Sequence, residues 1–211
     1  MKRLTSLLLF IFLAFFSASV LANSGVVDFF DKKVNKINSF LTNNHQKARQ
    51  NPEKIIQFVD SELLEVWSAR NTMRALLGPS RWKQLSQDEV LELTRAYEQT
   101  IRRYLFELLD QYDQQVATVK DVRLNDRGNK GWLRVNIESP SLPTLPVDLK
   151  IYNENEQWTI YDFSFQGISF VNMKRSLFRS TFDSKGAAGV VRSLNEKNQE
   201  FNQTVATIGN E

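Results

Sequence analysis

The sequence predicts an α+β domain in which helices pack on one face of an antiparallel sheet of about four strands. Three observations carry this. Apolar residues recur at steps of three and four as far as Tyr112. Between Val116 and Gln166 they alternate with polar residues, separated by turn-forming clusters. After Phe170 the helical spacing returns. No internal repeat and no linker divides the chain.

The chain opens with a segment that reads as an export signal. Lys2 and Arg3 precede an almost wholly apolar run from Leu4 to Leu21, and Val20 and Ala22 place small residues before a cleavable bond. Residues 1–22 are therefore expected to be a cleaved Sec-type signal peptide, 23–201 a single α+β domain and 202–211 a polar tail. The competing reading is an uncleaved anchor, because the run approaches the ~18 residues that span a bilayer. The chain has no cysteine, which excludes lipid attachment at a cysteine and leaves stability to the core. There are 27 Lys and Arg against 24 Asp and Glu. Two of the basic residues leave with the signal, so the rest is close to neutral, with no basic arm for nucleic acid.

Val27, Phe30, Val34, Ile37 and Leu41 mark the first helix. Asn51-Pro52-Glu53 starts another, and its apolar pattern (Ile55, Val59, Leu63, Leu64, Trp67, Met73, Leu76, Leu77) is expected to continue to a stop at Gly78-Pro79. Ser86 and Glu89 form a capping box for a long helix carrying Val90, Leu93, Tyr97, Ile101, Tyr104, Leu108 and Tyr112. Strands follow at Val116–Leu124, around Leu133-Val135-Ile137, around Val147-Leu149-Ile151 and over Trp158–Gln166. Phe170–Phe182 predicts a helix that closes near Gly186, and Val190 to Phe201 predicts a second.

Catalytic signals are sparse. The one histidine, His45, lies in a polar stretch and reads as a surface residue. No spacing suits zinc and no glycine-rich loop suits phosphates. Asp162 sits in a strand expected to be mostly buried, so it is either a structural partner for a basic group or amides, or an acid/base in an isomerase- or dehydratase-like enzyme. Aromatic residues make up 11% of the chain. Periodicity does not distinguish a filled core from a lined cavity.

Trp158-x-x-Tyr161-Asp162 followed by Gly167-Ile168-Ser169 resembles the signature of MlaC-type periplasmic phospholipid-binding proteins, the toluene-tolerance family. Asn51-Pro52, Val59-Asp60, Leu77-Gly78, Trp82, Lys174-Arg175 and Lys185-Gly186 occur in the matching order, so the resemblance spans about residues 26–200. Gly186-Ala187-Ala188-Gly189 departs from it in a turn that usually carries an acid. The resemblance implies helices around a curved sheet, a cone similar to nuclear transport factor 2, enclosing an apolar cavity. It implies no catalysis and no cofactor, with a phospholipid as cargo. It further implies a periplasmic location in a Gram-negative bacterium and a role in outer-membrane lipid asymmetry. The partners implied are an inner-membrane ABC transporter complex with an MCE-type substrate-binding subunit and an outer-membrane lipoprotein–porin complex.

A diacyl lipid exposes on the order of 30 methylenes, so carrying it bare through water costs roughly 25 kcal/mol at ~0.8 kcal/mol each. A carrier must cover those chains. The candidate lining is Leu133, Val135, Ile137, Val147, Leu149, Ile151, Ile160 and Phe163 from the sheet. From the helices it is Leu64, Trp67, Leu77, Tyr97, Ile101, Tyr104 and Leu108. Ordinary core packing remains the alternative for each. A protein that binds only other proteins is a third reading of the whole chain.

Overall fold

The structure is a computed structural model and describes residues 25–44 and 51–208, with side chains to 203. The signal-peptide reading and His45 lie outside the described residues.

Helix α1 covers residues 25–44. It buries Val26, Phe30, Val34 and Leu41, the stripe that its three- and four-residue spacing forms. Helix α2 (Pro52–Phe58) begins on the proline expected at a first turn. The chain then widens into a π-turn (Val59–Leu63) and tightens into a 3₁₀ turn (Leu64–Val66). Trp67 is extended, with φ −114° and ψ 122°. The helix expected to continue to Leu77 is therefore interrupted. Trp67 makes a parallel bridge with Ile160, and the Ser68 N–H donates to the Ile160 carbonyl at 2.8 Å. Ser68 then caps α3 (Ala69–Leu77) by accepting the Asn71 N–H. Gly78-Pro79 does end α3, but Pro79 also starts the short α4 (Pro79–Trp82).

Helix α5 (Gln87–Asp110) carries the expected capping box: Ser86 Oγ accepts the Glu89 N–H, and the Glu89 carboxylate accepts the Ser86 N–H at 2.8 Å. Strands β1 (Val116–Leu124), β2 (Lys130–Glu138), β3 (Leu145–Glu154) and β4 (Gln157–Phe165) form an antiparallel meander. A two-residue β5 (Ile168–Ser169) adds a fifth strand to the four expected. Helix α6 (Phe170–Ile208) breaks at Gly186, which has φ 65° and ψ −170°, a region open essentially to glycine alone. The break stands where the sequence placed a boundary between two helices. Helical backbone continues to Ile208, into the segment read as a tail.

Register sets the faces of the sheet. Val119 pairs with Val135, Val135 with Val147 and Val147 with Phe165. Val122 pairs with Leu133, Leu133 with Leu149 and Leu149 with Phe163. This inner face is apolar because side chains alternate along each strand. The outer face is charged: Arg134 holds Asp148 through two bonds of 2.7 and 2.9 Å.

Three separate cores result. One joins α3, α5 and α6 around Met73, Leu76, Leu93, Val171 and Val190. A second packs Val26 and Phe30 of α1 on Val122, Leu133, Val135, Ile151 and Ile160 of the sheet. A third joins α1, α2 and α5 around Leu41, Ile55, Val59 and Leu109. Trp67 touches both the first and the second. Helix α1 links sheet and helices a second time. Asn38 exchanges two hydrogen bonds with the Ala117 backbone, at 2.8 and 3.0 Å, while Lys36 pairs with Glu62 at 2.6 Å.

Candidate functional site

The helical layer meets the sheet mainly along β4. Helices α3 and α6 and the turn at Leu64–Val66 approach β4, whereas α5 has no extended contact with any strand. Sheet and helices are thus hinged along one strand and strapped together by α1. Where α5 passes the inner sheet face, the rings of Phe163, Phe170 and Tyr104 meet in a row; this apolar strip is the cleft.

Six side chains define this cleft: Tyr104 and Leu108 of α5, Val147 of β3, Phe163 and Phe165 of β4, and Phe170 of α6. None of them belongs to the three cores or to the side chains packed on them, although Phe163 meets Trp67 and Val147 pairs with Val135. A connected row of rings runs from the hinge to α5. Trp67 meets Phe163 edge-on at 6.3 Å, Phe163 stacks on Phe170 at 5.0 Å, and Phe170 meets Tyr104 edge-on at 5.9 Å. Leu108, one turn beyond Tyr104, is 67% exposed. Leu108 left in water forgoes most of the ~1.5–3 kcal/mol that full burial of such a side chain is worth, and Tyr104 and Phe165, each more than a third exposed, forgo part of it. An apolar ligand would recover it.

The sequence-derived lining divides three ways. Leu77, Tyr97 and Ile101 are buried in the helical core, and Leu133, Val135, Ile151 and Ile160 in the sheet core. Ile137, Leu149, Leu64 and Trp67 are half-buried at the edges of those cores. Tyr104 and Phe163 both meet Phe170, Val147 pairs with Phe165, and Leu108 lies one helical turn from Tyr104. Phe165 and Phe170 join them without having been singled out. The available signal was strand alternation from Phe163 to Phe165 and the position of Phe170 directly after the Gly-Ile-Ser turn.

Asp162 is 1% exposed. It lies at a bulge of β4, where the register against β3 shifts by one residue. One carboxylate oxygen accepts from Lys150 Nζ at 2.8 Å and from the Ser169 hydroxyl at 2.6 Å. The other accepts the Val171 N–H at 3.0 Å. Ser169 in turn accepts the Asn172 N–H at 3.1 Å, so the pair caps the start of α6. These contacts tie β3, β4 and β5 to the start of α6. Burial, with the nearby charges of Tyr104 and Asp162 adding, pushes the Tyr97 phenol well above its ordinary value. Burial and the Asp162 charge push Tyr161 upward as well.

Among the described residues no group of three or more His, Cys, Asp or Glu side chains could hold a metal ion. No helix among them is long and apolar enough to cross a membrane. Two hollows lie away from the cleft, both with charged walls. One of about 280 Å³ sits on the outer sheet face beside Trp132, Arg134 and Asp148. The other is a shallow trough, wide open to solvent, along α6.

The family model described as MlaC protein matches residues 31–196. Among solved structures, the chain is similar to a phospholipid-binding protein from Ralstonia solanacearum, determined in complex with a phospholipid. The two are 16% identical and superpose with a TM-score of 0.71, over 83% of this chain and 98% of that one. No curated protein matches the chain.

Proposed function

The chain belongs to the MlaC family, and from that premise we propose that it binds a phospholipid and carries it through water. The observation that carries this reading is the cleft. Tyr104, Leu108, Val147, Phe163, Phe165 and Phe170 are apolar and belong to none of the three cores. Acyl chains laid there would replace water against all six. The phosphate would stay toward the mouth, because burying its charge without partners is costly. The fold shared with the Ralstonia solanacearum protein, itself solved with a phospholipid, supports the same reading.

The carrier works in the periplasm, delivered there by the signal at residues 1–22 and left unlipidated because it has no cysteine. Its exchange partners are an inner-membrane ABC transporter complex with an MCE-type subunit and an outer-membrane lipoprotein–porin complex. Its task is outer-membrane lipid asymmetry. Family membership supports these finer statements. No group in the cleft carries catalysis, and Asp162 serves the fold.

The test is transfer. The protein, mixed with donor vesicles containing a fluorescent phospholipid and with unlabelled acceptors, should speed appearance of label in the acceptors. A variant with Leu108→Asp should lose most of that effect. Equal transfer with and without protein would contradict the carrier role.

A further inference from the structure

The trough along the first half of α6 has no role in the cleft. At ~100° per residue, Asn172, Arg175, Ser176, Arg179 and Asp183 lie on the side of α6 roughly opposite Phe170. The trough is lined by these residues together with Ser180 and Ser184.

Its charge is unbalanced. Asp183, the one acid in the lining, is already claimed: Arg81 of α4 holds both of its oxygens, at 2.6 and 2.5 Å. Arg175 and Arg179 make no ion pair among the described residues. The Arg175 Nε is buried without a hydrogen-bond partner, which leaves the two Nη groups to reach a ligand. Burial first, then repulsion from Arg175 and Arg81, outweigh attraction from Asp183 and hold the Arg179 guanidinium below its ordinary value.

Arg179 is held in place. The Arg179 Nε donates to the Leu76 carbonyl at 3.3 Å. The guanidinium lies across Gly78, where a Cβ would stand 2.5 Å from its Nη2. Gly78, at φ 82°, therefore both turns the chain and admits the arginine. Ser176 and Ser180, both exposed, add hydroxyls one helical turn apart.

We propose that this trough binds a phosphate group, held by Arg175 and Arg179 with the Ser176 and Ser180 hydroxyls completing the contact. Guanidinium forks match phosphate oxygens in pairs, and hydroxyls satisfy the remaining lone pairs. The phosphate can come from a lipid head group at a bilayer surface or from a free anion. The site stands independently of the cleft.

Two measurements test it on the full mature chain. The first follows the arginine side-chain Nε–Hε signals during titration with inorganic phosphate at constant ionic strength, with chloride as control. Saturable shifts confined to Arg175 and Arg179 are expected. The second is co-sedimentation with phosphatidylglycerol vesicles and with phosphatidylcholine vesicles. Arg175→Gln should weaken phosphate binding about ten-fold or more. Ser180→Asp, an exposed change that supplies a competing carboxylate, should do the same while melting temperature and cleft lipid content stay unchanged. Phosphate shifts with phosphatidylglycerol-dependent sedimentation, both lost in the variants, identify a lipid head group. Phosphate shifts without sedimentation identify a free anion. Absence of both, or binding that survives both substitutions, overturns the proposal.

Discussion

The Ser169 hydroxyl donates to the Asp162 carboxylate at 2.6 Å, and the same serine accepts the amide of Asn172. A strand and the helix that follows it are thereby locked by one acid. Removing the charge breaks the Lys150 contact and weakens the cap. Asp162→Asn is expected to cost about 2–3 kcal/mol in denaturant unfolding. An unchanged midpoint would deny Asp162 its structural role.

Core and cleft should respond oppositely to substitution. Leu133→Ala removes a fully buried side chain between β1 and β3 and is expected to cost about 2–5 kcal/mol. Leu108→Asp, on an exposed position, should change stability by no more than about 0.5 kcal/mol while bound lipid falls sharply. Lipid content that follows stability in both variants would mean the cleft residues are ordinary surface.

The break in α6 should depend on Gly186 alone. Nothing lies within 4 Å of a Cβ built there, so Gly186→Ala meets no steric neighbour and strains only the backbone. About 1–3 kcal/mol should be lost, read from urea unfolding. A neutral substitution would show that α6 does not need the break.

Stability should fall at both ends of the pH range. Hydrogen bonds from Arg134 hold the Asp148 carboxyl below its ordinary 3.8. Its contribution is therefore present above that value and lost as pH drops through the depressed one. Asp148→Asn should make the acid limb of a stability–pH profile shallower. Tyr97 is raised above its ordinary 10.0, chiefly by burial. Above pH 10 the unfolded chain loses this proton and the folded chain keeps it, so stability declines. Tyr97→Phe should make that alkaline limb shallower, and an identical limb would argue against burial of the phenol.

The capping box at Ser86 and Glu89, the strand faces and the break at Gly186 were legible because each is a local device with a residue signature. The interruption at Trp67 was not. Apolar spacing runs through it unchanged, and only its pairing with Ile160, distant in sequence, pulls the chain straight. Ser68 and Asn71 were the local hint, a serine able to cap a new helix. Strand β5 escaped because two residues show no alternation. The cleft was half legible. Tyr97 and Tyr104 share one stripe of α5 and look alike in sequence, yet Tyr97 meets Phe178 inside the helical core while Tyr104 meets Phe170 at the cleft. Which of two equivalent apolar residues lines a space depends on where neighbouring layers part, and α1 and β4 decide that.

The most direct measurement is native mass spectrometry, with lipid extraction, of the mature protein purified from a Gram-negative host without detergent. A phospholipid bound at near one per chain, and depleted in Leu108→Asp, is the expected result. A protein that is folded, free of phospholipid and unable to take it up from vesicles would contradict the carrier reading.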